Sequence, residues 1–233
     1  MRNQYILQID TATEVCSVSI SASGGLIDTI TAAEPNEHAS KLTLFIDEIL
    51  RRNNASFSDI VAVAVSMGPG SYTGLRIGVS TAKGICYGLN LPLIAIHTLH
   101  SMFDGYQLVQ ADSSYDLFCP MIDARRMEVY MSIFDKRGDV RFDTSAQIIT
   151  KDSFEAYNNK KIVLFGSGAN KFKELFESDP AIAIDTAYRH SSAYLTRAAW
   201  QKYIDRDFED MIYFEPFYLK EFVATTPKKQ NLA

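Results

Sequence analysis

Apolar and polar positions change their period along the chain in a fixed order. Tyr5-Ile6-Leu7-Gln8-Ile9 and Val15-Cys16-Ser17-Val18-Ser19-Ile20 carry the alternation of strands, and Leu26 to Ile30 adds a third after the Gly24-Gly25 turn. His38 to Arg52 then places Leu42, Phe45, Ile46, Ile49 and Leu50 at the three-four spacing of an amphipathic helix, with Asn53-Asn54 behind it. Ile60 to Val65 is a continuous branched run, which predicts a buried strand parallel to a neighbour. Thr73 to Leu89 reads as a long helix ended by Asn90 and Pro92, Leu93 to Ile96 as a strand, and the stretch from Thr98 as a further helix.

Three strands, helix, strand, helix, strand, helix is the order of a ribonuclease H-like lobe. The second half repeats it: QIDTATEVCSVSI (Gln8–Ile20) aligns without a gap on MIDARRMEVYMSI (Met121–Ile133), matching at Ile-Asp and Ser-Ile. Ile162-Val163-Leu164-Phe165-Gly166-Ser167-Gly168 likewise echoes the strand and glycine turn of Val61 to Gly68, and leads into a helix-like stretch over Ala169–Phe176. The expected fold is therefore α/β, with two tandem ribonuclease H-like lobes of the actin, hexokinase and heat-shock-70 type. Boundaries are expected near 1–109 for the first lobe, with its helices for partners, 110–206 for the second, and 207–233 for an extension. Ser191 to Ile204 reads as a late helix and Ala224 to Ala233 as a loose tail.

Composition narrows the class. At 233 residues, 47% hydrophobic and 22% charged, the chain can bury one large core or two smaller ones. A net charge of -5 argues against a protein whose main surface is a nucleic-acid cradle. No apolar run is long enough for a signal peptide or a membrane span, so the expected place is the cytoplasm. Cys16, Cys86 and Cys119 are odd in number, far apart and flanked by apolar residues, which reads as buried thiols.

The tandem frame makes nucleotide in the interlobe cleft the first chemistry to test. Phosphate-binding hairpins need glycine so that backbone amides can reach the oxygens. Here the hairpins are Asp10-Thr11-Ala12-Thr13-Glu14, which lacks glycine, and Asp123-Ala124-Arg125-Arg126-Met127-Glu128, which is bulky throughout. Both read as a degenerate nucleotide cleft around Asp10, Thr11, Thr13, Asp123 and Arg125. The two arginines either grip a phosphate or are plain hairpin charges. SMGPGSYTGLRIG (Ser66–Gly78) is not a P-loop, since neither the lysine nor the hydroxyl falls at the Walker spacing, and no base is set to activate Ser71. Its helix instead repeats small residues at Gly74, Gly78, Ala82 and Cys86. That ridge packs either on the protein's own sheet or on a helix of another chain. His97 and His100 with Asp104 suit strand-end and helix-cap roles better than a metal, and His190 stands alone.

The segments LQIDTAT, HASKLTLFIDEIL, VSMGPGSYTGLRIGVSTAKGICYGLNLPLIAIHTL and MIDARRMEVYMSIF, in that order, resemble the TsaB (YeaZ) family over residues 5 to 134. The resemblance implies an accessory subunit in the synthesis of threonylcarbamoyladenosine (t6A) in tRNA. Such a subunit has lost the chemistry of its duplicated-fold relative TsaD and carries no metal or other cofactor. TsaD-like proteins hold a metal with two histidines four apart; here His38 is followed by Leu42 at that spacing. The implied partners are a TsaD-like transferase, a TsaE-like ATPase that joins the assembled pair, a second copy of the chain when it is alone, and tRNA only through the complex. The implied docking elements are the two first-lobe helices, with His38, Leu42, Phe45, Ile46, Ile49, Gly74, Leu75, Gly78, Ala82 and Cys86 as interface residues. An ATP-dependent enzyme of the same superfamily and a peptidase remain as alternatives.

Overall fold

The computed structural model describes residues 4–110 and 114–220. The first half forms β1 (Tyr5–Asp10), β2 (Ser17–Ala22), β3 (Gly25–Thr31), α1 (His38–Arg52), β4 (Ile60–Gly68), α2 (Tyr72–Leu89), β5 (Leu93–His97) and α3 (Thr98–Val109). The second half forms β6 (Leu117–Asp123), β7 (Glu128–Asp135), β8 (Val140–Ile148), β9 (Ile162–Phe165), β10 (Ile182–Asp185) and α4 (Thr196–Asp205). The sheets run β3-β2-β1-β4-β5 and β10-β9-β6-β7-β8. Each is an antiparallel three-strand meander whose first strand also pairs in parallel with a later one: β1 with β4, β6 with β9. The duplication is thus visible as one topology used twice.

The helices α1 and α2 cover one face of the first sheet, where Leu42, Ile46, Ile49, Val79 and Ala82 meet Leu7, Ile9, Val63 and Val65. Ser71 caps α2 by accepting from Gly74 N–H at 3.3 Å, and Asn90, at φ 53°, ends it in the left-handed region. The opposite face of that sheet is narrow at Ala62 and Ala64, and α4, from the second half of the chain, lies there with Leu195 and Ala199. The ring of Trp200 sits so close over the β2–β3 turn that a Cβ on Gly24 would lie 2.7 Å from its Cδ1. In exchange, α3 packs on the second sheet: Leu99, Met102, Phe103 and Tyr106 join Phe118, Ile122, Phe134 and Phe165. A cut at 109/110 separates the two sheets, but it leaves α3 on the first side and α4 on the second, each away from the sheet it covers.

Beyond α4 the chain turns back along the first lobe. Glu209 N–H donates to Leu93 O and Phe217 N–H to Met67 O, while Phe214 O accepts from Lys83 Nζ at 3.0 Å. The loose tail expected over 224–233 lies outside the described residues. In the second half, the helix expected over Ala169–Phe176 is a short 3-10 turn at Ala169–Phe172, and β8 and β10 are strands that the hydrophobic pattern did not reveal.

Candidate functional site

The two first-lobe helices turn most of their expected interface residues inward. Leu42, Ile46 and Ile49 of α1 and Ala82 and Cys86 of α2 are buried in the first core, and Leu75 is buried too. Gly74 and Gly78 press on the turn after β1, where a Cβ would strike the Thr11 carbonyl oxygen and Thr11 Oγ1 respectively. Thr11 Oγ1 donates to Gly74 O at 2.8 Å. The small-residue ridge is thus the seat of β1's end on α2, and Gly74, Leu75, Gly78, Ala82 and Cys86, expected at an interface, are buried within the chain. His38 is likewise buried, with its Nε2 2.9 Å from Thr13 O. Of the residues expected at an interface, only Phe45 is partly open. The outward surface of the pair is a different set: Leu44, 60% exposed, on α1, and Ser80, Gly84, Tyr87, Gly88 and Leu89 on α2. Tyr87 is 84% exposed, and an added Cβ at Gly84 or Gly88 would meet nothing within 4 Å.

The cleft is the second candidate. Its first hairpin is tied down by its own lobe: Ser71 N–H donates to Ala12 O at 2.7 Å, and a Cβ on Gly70 would lie 2.9 Å from Ala12 C. Thr11 and Thr13 are buried, the latter accepting from Val15 N–H. Asp10, at the end of β1, is buried and takes bonds from Ala12 N–H, Ser66 Oγ and, at 2.8 Å, His190 Nε2. Burial opposes its ionisation, but the charge of His190 and these hydrogen bonds win, and the carboxyl stays below its usual range. His190, which looks isolated in sequence, is therefore the buried hydrogen-bond partner of Asp10. Its Nδ1 stands 3.2 Å from Tyr188 Oη, which donates in turn to Met102 O. Beside this chain, Gln8 donates to Ser21 and Thr196, and Ser19 shares a hydrogen bond with Ser192. These buried polar contacts tie β1 and β2 to the segment that leads into α4.

Asp123 and Arg125 lie on the other hairpin, exposed, and no hydrogen bond joins them to Asp10. Between the halves a cleft of about 180 Å³ is lined by Thr13, Glu14, Ser167, Tyr188, Arg189 and His190, among others. Nucleophile chemistry has little footing: Cys16 and Cys86 are buried, with burial pushing both thiols up to about 12, and Ser71 Oγ serves as a helix cap. Among the described residues, no group of three or more His, Cys, Asp or Glu side chains could hold a metal, and no helix is long and apolar enough to cross a membrane.

The family signature described as "TsaD: tRNA N6-adenosine threonylcarbamoyltransferase" matches residues 13–203. The chain belongs to this TsaD/TsaB (YeaZ) family. The tRNA threonylcarbamoyladenosine biosynthesis protein TsaB of Escherichia coli is 37% identical over 131 residues, 56% of this chain and 55% of that one, so the match spans about half of that relative. TsaB of Haemophilus influenzae is 29% identical over 96% of this chain and 97% of its own length. The solved structure of YeaZ from Pseudomonas aeruginosa superposes with a TM-score of 0.75 at 23% identity, covering 93% of this chain and all of that one, which shows the same fold. The His38 imidazole lies 2.9 Å from Thr13 O, and the side chain four residues on, Leu42, lies in the core.

Proposed function

We propose that this chain is a non-catalytic TsaB-type subunit of threonylcarbamoyladenosine synthesis. In this reading it pairs with a TsaD-type transferase through the outward face of α1 and α2, and pairs with a second copy through the same face when alone. A TsaE-type ATPase joins the assembled pair, tRNA is met inside the complex, and the work is cytoplasmic and needs no cofactor of the chain's own. The observation that carries the reading is the open ridge of α2. Gly84 and Gly88 have nothing within 4 Å of an added Cβ, beside a tyrosine that is 84% exposed. A helix from another chain can approach such a ridge closely. The stapled, glycine-free first hairpin supports a loss of phosphate chemistry.

The test is Gly84→Leu, which adds bulk where the fold has room and so spares the monomer. The variant's monomer is expected to melt at or slightly above the parent's, yet neither dimerise nor copurify with a TsaD-type transferase, and to leave threonylcarbamoyl transfer unsupported. Full assembly by a folded Gly84→Leu would refute the assignment of this face.

A further inference from the structure

The hairpin between β6 and β7 carries positive charge that the fold has already set apart from its acids. Each of its carboxylates has a lysine: Asp123 accepts from Lys171 Nζ at 2.5 Å, and Glu128 pairs with Lys220. Lys171 is fully occupied, since it also donates to the main-chain oxygens of Arg126 at 2.7 Å and Glu128 at 3.3 Å. Arg125 and Arg126 stand exposed at the tip, and among the described residues neither guanidinium has a hydrogen bond or ion pair. Four cations (Arg125, Arg126, Lys171, Lys220) thus meet two carboxylates (Asp123, Glu128), a local excess of positive charge on a protein whose net charge is -5.

The backbone beneath the arginines is unusual too. Arg125 and Arg126 take φ of 73° and 51°, two adjacent residues with a Cβ in the left-handed region. Such strain persists where the surroundings fix a loop to present its side chains. The hairpin is fixed at its base: Asp123 N–H donates to Ser167 Oγ at 3.2 Å, and a Cβ on Gly168 would lie 2.9 Å from Ile122 C.

Resting on the function proposed above, we propose that the Arg125–Arg126 hairpin is a phosphate clamp for the tRNA backbone in the assembled complex. Guanidinium forks match the paired oxygens of a phosphodiester. The clamp faces solvent and so can meet a polyanion of any length. The neighbouring cleft of about 180 Å³ is small for a nucleotide, since small-molecule pockets run to roughly 300–1,000 Å³.

The test is tRNA binding by the full chain complexed with a TsaD-type transferase, read by fluorescence anisotropy over a salt series. The double variant Arg125→Gln/Arg126→Gln is compared with Lys136→Gln/Arg137→Gln, which removes the same charge from the exposed β7–β8 turn. The hairpin variant is expected to bind roughly tenfold more weakly at low salt, with a slope of log K against log salt shallower by about 1 to 2, while the control stays near the parent. Arg→Lys at both positions is expected to fall between. Equal losses in the two Gln variants, or none in the hairpin variant, would overturn the clamp. So would a hairpin variant that loses ATP binding and keeps tRNA. Failure of the parent to join the transferase would sink the proposed function instead, and the same salt series on the chain alone then decides the clamp.

Discussion

Replacing Gly74 by alanine adds one methyl group at the point where α2 lies against the end of β1. The new Cβ would sit well under 3.0 Å from the Thr11 carbonyl oxygen, a distance that real Cβ atoms essentially never reach, and 3.3 Å from Thr11 C. The obstacle is backbone inside a sheet-to-helix seat, so it cannot swing aside. Overpacking of this kind costs about 1–3 kcal/mol. Displacing Thr11 also threatens its hydrogen bond to Gly74 O, and a buried hydroxyl left unpaired costs about 1–3 kcal/mol more. Against this stands the helix propensity gained by Gly→Ala, about 1 kcal/mol. The balance is a loss of roughly 1–5 kcal/mol, or about 2–20 °C in Tm for a chain of this length. At Gly84 the same substitution meets nothing, so only the propensity gain of up to about 1 kcal/mol remains. Thermal unfolding followed by circular dichroism at several protein concentrations separates these effects from dimer dissociation. Gly74→Ala melting at or above the parent would refute the placement of the ridge against Thr11.

The remaining predictions are brief. Asp10→Ala leaves His190 without its buried partner and is expected to cost about 3–5 kcal/mol by denaturant titration, with an unchanged midpoint as the contrary result. Because the Asp10 carboxyl is held below its unfolded value, its contribution is present above pH 3.8 and disappears as pH falls through the depressed pKa; Asp10→Asn should flatten the acid limb of the stability curve, and an identical limb would count against the pairing. Burial, with the neighbouring His100, brings His97 down to about 4, so the unfolded chain binds more protons between pH 6.5 and 4. Stability should therefore fall as pH drops through that window by up to about 3 kcal/mol, and His97→Phe should flatten the slope down to the share left by His100, itself lowered by burial, which urea titrations at each pH would reveal. The thiols of Cys16 and Cys86, pushed up to about 12, should ignore a thiol reagent at pH 8 until the protein is unfolded, and rapid native labelling would contradict their burial.

Much of the first lobe was legible because β1, β2 and β4 are buried along nearly their whole length and α1 buries one stripe. Strands β1, β2 and β4 and helix α1 therefore announce themselves by period, and α1 begins and ends where its spacing and Asn53 say. Strands β8 and β10 were not, since both lie at sheet edges with largely half-buried residues, which blurs the alternation. The pairing of Asp10 with His190 crosses 180 positions in sequence. Its one signal was an aspartate ending an apolar strand, a place where a buried carboxylate needs a cation, on a chain with four histidines.

The orientation of α2 was ambiguous for a physical reason. It carries two rows of small residues, one through Gly74, Gly78, Ala82 and Cys86, the other through Ser80, Gly84 and Gly88. At about 100° per residue the two glycine pairs lie only about 80° apart around the helix, so period alone cannot say which row faces the sheet. Neighbouring apolar bulk decides it. Val79, beside the first row, brings apolar bulk to one side, and with Ala82 and Cys86 it packs in the core with Leu7, Ile9, Val63 and Val65, which seats Gly74 and Gly78 on Thr11. The second row, with Tyr87 beside it, is then turned outward by the same rotation. One helix thus meets the cleft with one glycine pair and solvent with the other. A helix bound on the outer row would touch the element whose inner row seats Thr11 and caps the first hairpin through Ser71, so partner docking and the shape of the cleft share a single rigid part.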